Sequence, residues 1–282
     1  MIVSPRFNNA ICSSSMRHRV LLLFAMAAIG GSCGFAQTNV LDSDPLGPRR
    51  LLVYDQYGAF GGLSNNQQGG TFLTDCNCSF GSGAKTGLTA GIMFERLTRS
   101  RITWGATLAF ENRSIDARYQ EIEGVVQRAP SSGREYTVPI TFRHIGEMSL
   151  SYLTLTPFAK YHLLEWLYVR GGPAISYIMS SNIRHTKELV SDSVIFPTGE
   201  VASVSLPGAD GRSVVLEDHA VPELNSLQIS ISAAVGTEFR VGKKVFLSPL
   251  VQYILPLTTV TARGDGFSVR ALQFLVEARV IM

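Results

Sequence analysis

From residue 51 onward, apolar and polar residues alternate with a period of two in eight separate stretches, and the connections between them are alternately short and long. That combination constrains the fold more than any other feature of the chain. Period two is the spacing of a strand whose two faces meet different surroundings, whereas a helix would repeat every 3.6 residues. The stretches are residues 51–63, 86–96, 102–116, 150–163, 167–182, 227–241, 245–257 and 268–282. Connections 97–101, 164–166 and 242–244 are short; connections 64–85, 117–149, 183–226 and 258–267 are long. A soluble sandwich has no reason to keep every long loop at one end. A transmembrane barrel with short periplasmic turns and long outer loops does so by construction. The expected fold is all-β: an eight-stranded antiparallel up-and-down transmembrane β-barrel over residues 51–282.

The chain's beginning agrees with export. Arg17, His18 and Arg19 form a basic n-region, Val20 to Ile29 an apolar h-region, and Gly34-Phe35-Ala36 offers a cleavage site before Gln37. Residues 1–36 therefore read as a secretory signal peptide, with Met16 a possible true start, and residues 37–50 as a periplasmic lead-in. Cys33 invites a lipoprotein reading, but Gly30-Gly31-Ser32 is a poor lipobox. Beyond this segment no apolar run approaches 18 residues, so a helical membrane protein is excluded. The net charge of +3 is carried by Arg6, Arg17 and Arg19; the remainder holds 22 basic and 22 acidic residues. No electrostatic footprint for nucleic acid is left.

The composition of the two faces suggests which one meets lipid. Leu88, Ala90, Ile92 and Phe94 oppose Thr89, Gly91, Met93 and Glu95, and Leu272, Phe274, Val276 and Val280 oppose Gln273, Glu277 and Arg279. Gly, Ala, Ser and Thr dominate the polar face, which suits a narrow interior better than a water-facing exterior. Enclosed charges must nearly balance. The expected lumen set is Glu95, Glu111, Glu238 and Glu277 against Arg113, Lys160, Arg170, Arg240 and Arg279. Trp104, Tyr161, Trp166 and Tyr168 lie near the short turns, as an interfacial girdle would. Residues 245–257 resist the pattern: Phe246, Leu250 and Ile254 fall on the polar side, which favours a plugged barrel, and Pro249 and Pro256 interrupt a strand.

By these features the chain resembles the OmpA/OmpX-type eight-stranded barrels and, more narrowly, the PorT-like outer membrane β-barrel proteins of Bacteroidetes-type bacteria. The resembling stretches are 152–181, 226–257 and 269–282. Pro157, Lys160, Tyr161, Tyr168, Gly172, Pro173 and Tyr177 occupy the places of that family's strand–turn–strand pattern. The resemblance implies a fold and brings no catalytic motif.

Chemistry elsewhere is sparse. Cys76 and Cys78 in the first long loop could form a tight disulfide or, with ligands from elsewhere, hold a soft metal; with no histidine near them in sequence, a loop disulfide is the expectation and no metal site is assigned. Ser180, Ser181 and His185 could be drawn as a lipid-facing nucleophile and base, but a strand fraying into a polar loop explains them more simply. There is no G-x-S-x-G, H-E-x-x-H, Walker loop or dinucleotide fingerprint. The expected role is non-enzymatic and without cofactor, in outer-membrane lipid: structural or adhesive, or part of a secretion or assembly system. Loops 117–149 and 183–226 would present the protein-binding surface, with Val194-Ile195-Phe196 as an apolar contact. A small pore and a soluble lipocalin-like carrier are the alternatives.

Overall fold

The computed structural model describes residues 54–98, 100–204 and 212–282. The expected signal peptide and lead-in, and residues 51–53 of the first strand, lie outside the described residues.

Eight long strands follow one another in sequence: β1 (Tyr54–Leu73), β2 (Ala84–Leu97), β3 (Ile102–Asn112), β4 (Glu135–His162), β5 (Leu167–Leu189), β6 (Leu227–Thr237), β7 (Val245–Pro256) and β8 (Asp265–Ile281). Each pairs antiparallel with its sequence neighbours, and β8 pairs back onto β1, so the ladders return to their starting point. The connections at one end are short. At the other end, β4 and β5 run on past the ring and carry the added strands Ile115–Arg128 and Ser213–His219 on their edges. A separate two-strand ladder joins Ser193–Ile195 to Val201–Ser203.

The long connections are therefore shorter than expected, because much of 117–149 and 183–226 is sheet. These segments alternate too, but with the opposite polarity. Along β4 every even-numbered side chain from 148 to 162 turns inward. Between Tyr152 and His162 the inward residues include Thr154, Thr156 and Lys160, and the outward ones include Leu153, Leu155 and Tyr161. Above Tyr152 the inward residues include Leu150, Met148, Phe142, Ile140 and Val138, with His144 among them, while Glu147 and Ser149 face outward. One strand keeps its facing and exchanges which face is apolar. In β8 the exchange falls at the same level: Phe267, Val269 and Ala271 point inward above it, Gln273, Glu277 and Arg279 below it.

The prolines find places in this geometry. Pro249 faces outward opposite Val276, and Pro256 is the last residue of β7. The β4–β5 ladder breaks between the pairs Leu155–Ile175 and Ala159–Gly171, where the register sets Pro157 opposite Pro173. Gly172 sits at this break because a Cβ there would lie 2.0 Å from the Pro157 carbonyl oxygen.

Candidate functional site

The enclosed interior is built in layers along the ring. Nearest the short turns, Lys160 on β4 and Arg279 on β8 share two carboxylates. Lys160 Nζ lies 2.9 Å from Glu95 Oε1 and 3.0 Å from Glu238 Oε2, and Arg279 donates to Glu95 Oε2 at 2.7 Å and to Glu238 Oε2 at 2.8 Å. One step higher, Arg170 donates to Glu277 Oε1 at 2.6 Å and to Gln252 Oε1 at 2.8 Å. Higher still, Arg113 Nε donates to Glu111 Oε2 at 2.8 Å, and Thr154 and Gln273 also donate to Glu111. Three cations rest against rings: Arg113 over Tyr152, Lys160 over Tyr168 and Arg170 over Phe158, at 4.8, 4.4 and 4.8 Å. Above these layers Phe72, Phe80, Ile115, Leu150, Ile178 and Phe267 pack into an apolar cluster. The enclosed charges are thus paired and hydrogen-bonded, the condition under which burial of charge is tolerable.

Eight of the nine expected interior charges converge in this way; Arg240 does not. β6 ends at Thr237 and the Glu238 amide bonds the Trp166 carbonyl; Phe239 and Arg240 still pair with Leu247 and Phe246 in the same register, but they stand past the Glu238 layer, where the strand runs into the turn. Arg240 is exposed and donates to the carbonyls of Gly242 and Lys243 in the turn. Without it, Glu95, Glu111, Glu238 and Glu277 face Arg113, Lys160, Arg170 and Arg279 four to four. Tyr168 is a second correction: it is fully buried beneath Lys160, since its position shares the inward parity of Arg170. Trp104, Tyr161 and Trp166 do lie on the exposed side, with Phe94 between Tyr57 and Trp104. Of the neutral partners, Thr103 and Gln273 share the expected polar face with the charges, and the structure adds Gln56, Ser248 and Gln252, which inward parity alone would have found.

Cys76 and Cys78 are joined as a disulfide. A histidine does lie near them: His185 Nδ1 is 3.6 Å from Cys76 Sγ, brought there by the extension of β5. His185 is buried and bonded to His144, so it does not face outward beside Ser180 and Ser181 as a catalytic base would. Of the run Val194-Ile195-Phe196, Val194 and Phe196 are buried against Val138, Ile140 and Phe142, and only Ile195 is exposed. The expected apolar contact shrinks to that side chain and its cross-strand neighbour Val201.

No protein-family model and no curated protein matches the sequence. Among solved structures, the chain is similar to Ail, the attachment invasion locus protein of Yersinia pestis, at 11% identity over 80% of this chain and 99% of that one, with a TM-score of 0.30. It is similar to Neisserial surface protein A at 11% identity over 80% and 96%, with a TM-score of 0.33. The outer membrane protease OmpT of Escherichia coli aligns at 10% identity over 81% and 97%, with a TM-score of 0.26. Likeness at this level carries no argument about role, and the architecture rests on the strand ladders themselves.

Proposed function

We propose that the chain is a transmembrane β-barrel of the bacterial outer membrane, eight-stranded and up-and-down, of the OmpA-like and PorT-like kind. The carrying observation is the exchange of polarity along β4 and β8. A barrel in water keeps its apolar face inward throughout. A barrel in lipid turns apolar residues outward only where hydrocarbon surrounds it and returns them inward where it emerges. The ten residue steps from Tyr152 to His162 cover roughly 25 Å at ~3.3 Å per residue and ~40° tilt, the height of the apolar band of such barrels. Trp104, Tyr161 and Trp166 lie at its lower edge, where aromatic side chains anchor at an interface.

The role is non-enzymatic. Paired charges below and an apolar cluster above fill the interior, which favours a structural, adhesive or machine-associated barrel over a small pore. The projecting sheet, with the small ladder that carries Ile195 and Val201, is the surface offered to a protein partner. Membrane fractionation with cold and boiled electrophoresis tests the reading: recovery in the outer membrane with a mobility shift on boiling is expected. Recovery as a soluble protein with no shift overturns it.

A further inference from the structure

Outside the ring interior, the projecting sheet gathers a second cluster. The strand Ile115–Arg128 pairs Tyr119 with His144 on β4, and the two rings stack with centroids 4.8 Å apart. Glu121 and Glu123, two positions apart, present their carboxylates on the same side of that strand. Glu121 Oε2 is 3.9 Å and Glu123 Oε1 3.8 Å from His144 Nε2. The His144 side chain is 3% exposed, and its Nε2 has no hydrogen-bond partner. The two carboxylates stand too far off to be such partners. A buried polar atom left unpaired is costly, so its direction calls for a ligand.

The back of the ring is held in the manner of a metal-binding histidine. His144 Nδ1 is 2.9 Å from His185 Nε2, so one ring donates and the other accepts. With His144 Nδ1–H as donor, the Nε2 lone pair is left facing the carboxylates, the tautomer a metal requires. A tetrahedral ion with bonds of about 2.0–2.1 Å places its ligand atoms about 3.3 Å apart, so each contact closes by about half an ångström. Lys187 Nζ already sits 2.5 Å from Glu123 Oε1, above the Phe142 ring at 4.1 Å. The carboxylates thus attract one cation, and this ammonium is the competitor of a metal.

We propose that Glu121, Glu123 and His144 form a site for a divalent transition metal of the zinc type on the projecting sheet. One imidazole nitrogen and two carboxylates are a donor set for a borderline cation. The neighbouring groupings fit less well. The sulfurs of Cys76 and Cys78 are bound to each other, and Asp75, beside Glu217 and His219, is engaged by Arg263.

Calorimetric titration of Zn2+ into the folded protein in detergent, with its disulfide oxidised, tests the site. One saturable ion per chain is expected. Glu121→Gln and Glu123→Gln, both at solvent-reachable positions, each weaken binding by more than about tenfold, and Lys187→Met strengthens it. Cold and boiled mobility confirms that each variant is folded. Three results overturn the proposal: no saturable binding, binding that both glutamate variants leave unchanged, or binding that appears only after the disulfide is reduced. The last would place the ion on Cys76, Cys78 and His185.

Discussion

Arg170 and Glu277 are both enclosed, so the consequence of removing either is set by the charge left behind. Glu277→Ala strands the Arg170 guanidinium with Gln252 as its one remaining side-chain acceptor. A loss of ~3–5 kcal/mol is expected, read from urea unfolding in lipid vesicles; a loss below about 1 kcal/mol would mean that water reaches the guanidinium. Parity made this pair legible in the sequence, since Arg170 and Glu277 fall on the inward positions of β5 and β8. The same parity misplaces Arg240, because parity says which face a side chain takes and not that the enclosed layers end at Glu238, before the turn. At the far end, Asp75 accepts from Arg263 at 2.7 Å and from His219 at 3.0 Å. Arg263 first, and then His219, hold the Asp75 carboxyl below its ordinary 3.8. The Ala220 carbonyl and then Asp75 raise His219 above 6.5. The Asp75 contribution is complete above pH 3.8 and lost as pH falls through its lowered value. The His219 contribution is complete below pH 6.5 and lost as pH rises through its raised value. Both act between these limits, so exchange of the Asp75 amide, bonded to Glu217 Oε2, should be slowest there after correction for intrinsic rates. A flat protection profile from about pH 4 to pH 8 would show that the triad does not tether the loop.

Among the strands, the β4–β5 seam concentrates three residues that a ladder normally avoids. Pro157 and Pro173 each lack an N–H, and the register sets them opposite one another, so the ladder breaks once instead of twice. The backbones approach closely there, and Gly172 is the residue that permits it. Gly172→Ala must push the Pro157 carbonyl aside, at a cost of ~1–3 kcal/mol by analogy with overpacked cores. A lowered unfolding midpoint with retained membrane assembly is the expected result, and an unchanged midpoint would show that the seam has room. In the sequence these residues read only as a pattern shared with a family; their reason is a meeting of two strands that no single segment reveals. The same limit explains the projecting strands. The strand Ile115–Arg128 carries Asp116, Arg118, Glu121 and Glu123, so its weak alternation reads as a polar loop until Met148 to Glu135 of β4 is paired against it. The contact of His144 with His185, 41 residues apart, comes from the pairing of the extended β4 with the extended β5, which sets Gly146 opposite His185, and Cys76 meets His185 from 109 residues away.

For the whole molecule, the exchange of polarity separates two environments for side chains that look equally exposed. Ile92 on β2 is 61% exposed and Ile122 on the projecting strand is 70% exposed. Ile92 lies five residues above the end of β2, roughly 12 Å up the ring at ~3.3 Å per residue and ~40° tilt, close to the middle of the apolar band. Ile122 pairs with Thr141, well beyond Tyr152, where β4 already carries its apolar side chains inward. If hydrocarbon surrounds the first and water the second, the same substitution must have different consequences. Ile92→Arg should lose ~2–4 kcal/mol in vesicles, the depth-dependent cost of a charge facing lipid. Ile122→Arg should stay within about 0.5 kcal/mol, as surface substitutions usually do. Paired unfolding curves in vesicles read the difference directly, because the two variants share one chain, one reference state and one added charge. Equal costs at both positions would mean that a single solvent bathes the whole exterior, and the outward Leu, Ile and Tyr side chains of the ring would then need a protein partner to cover them.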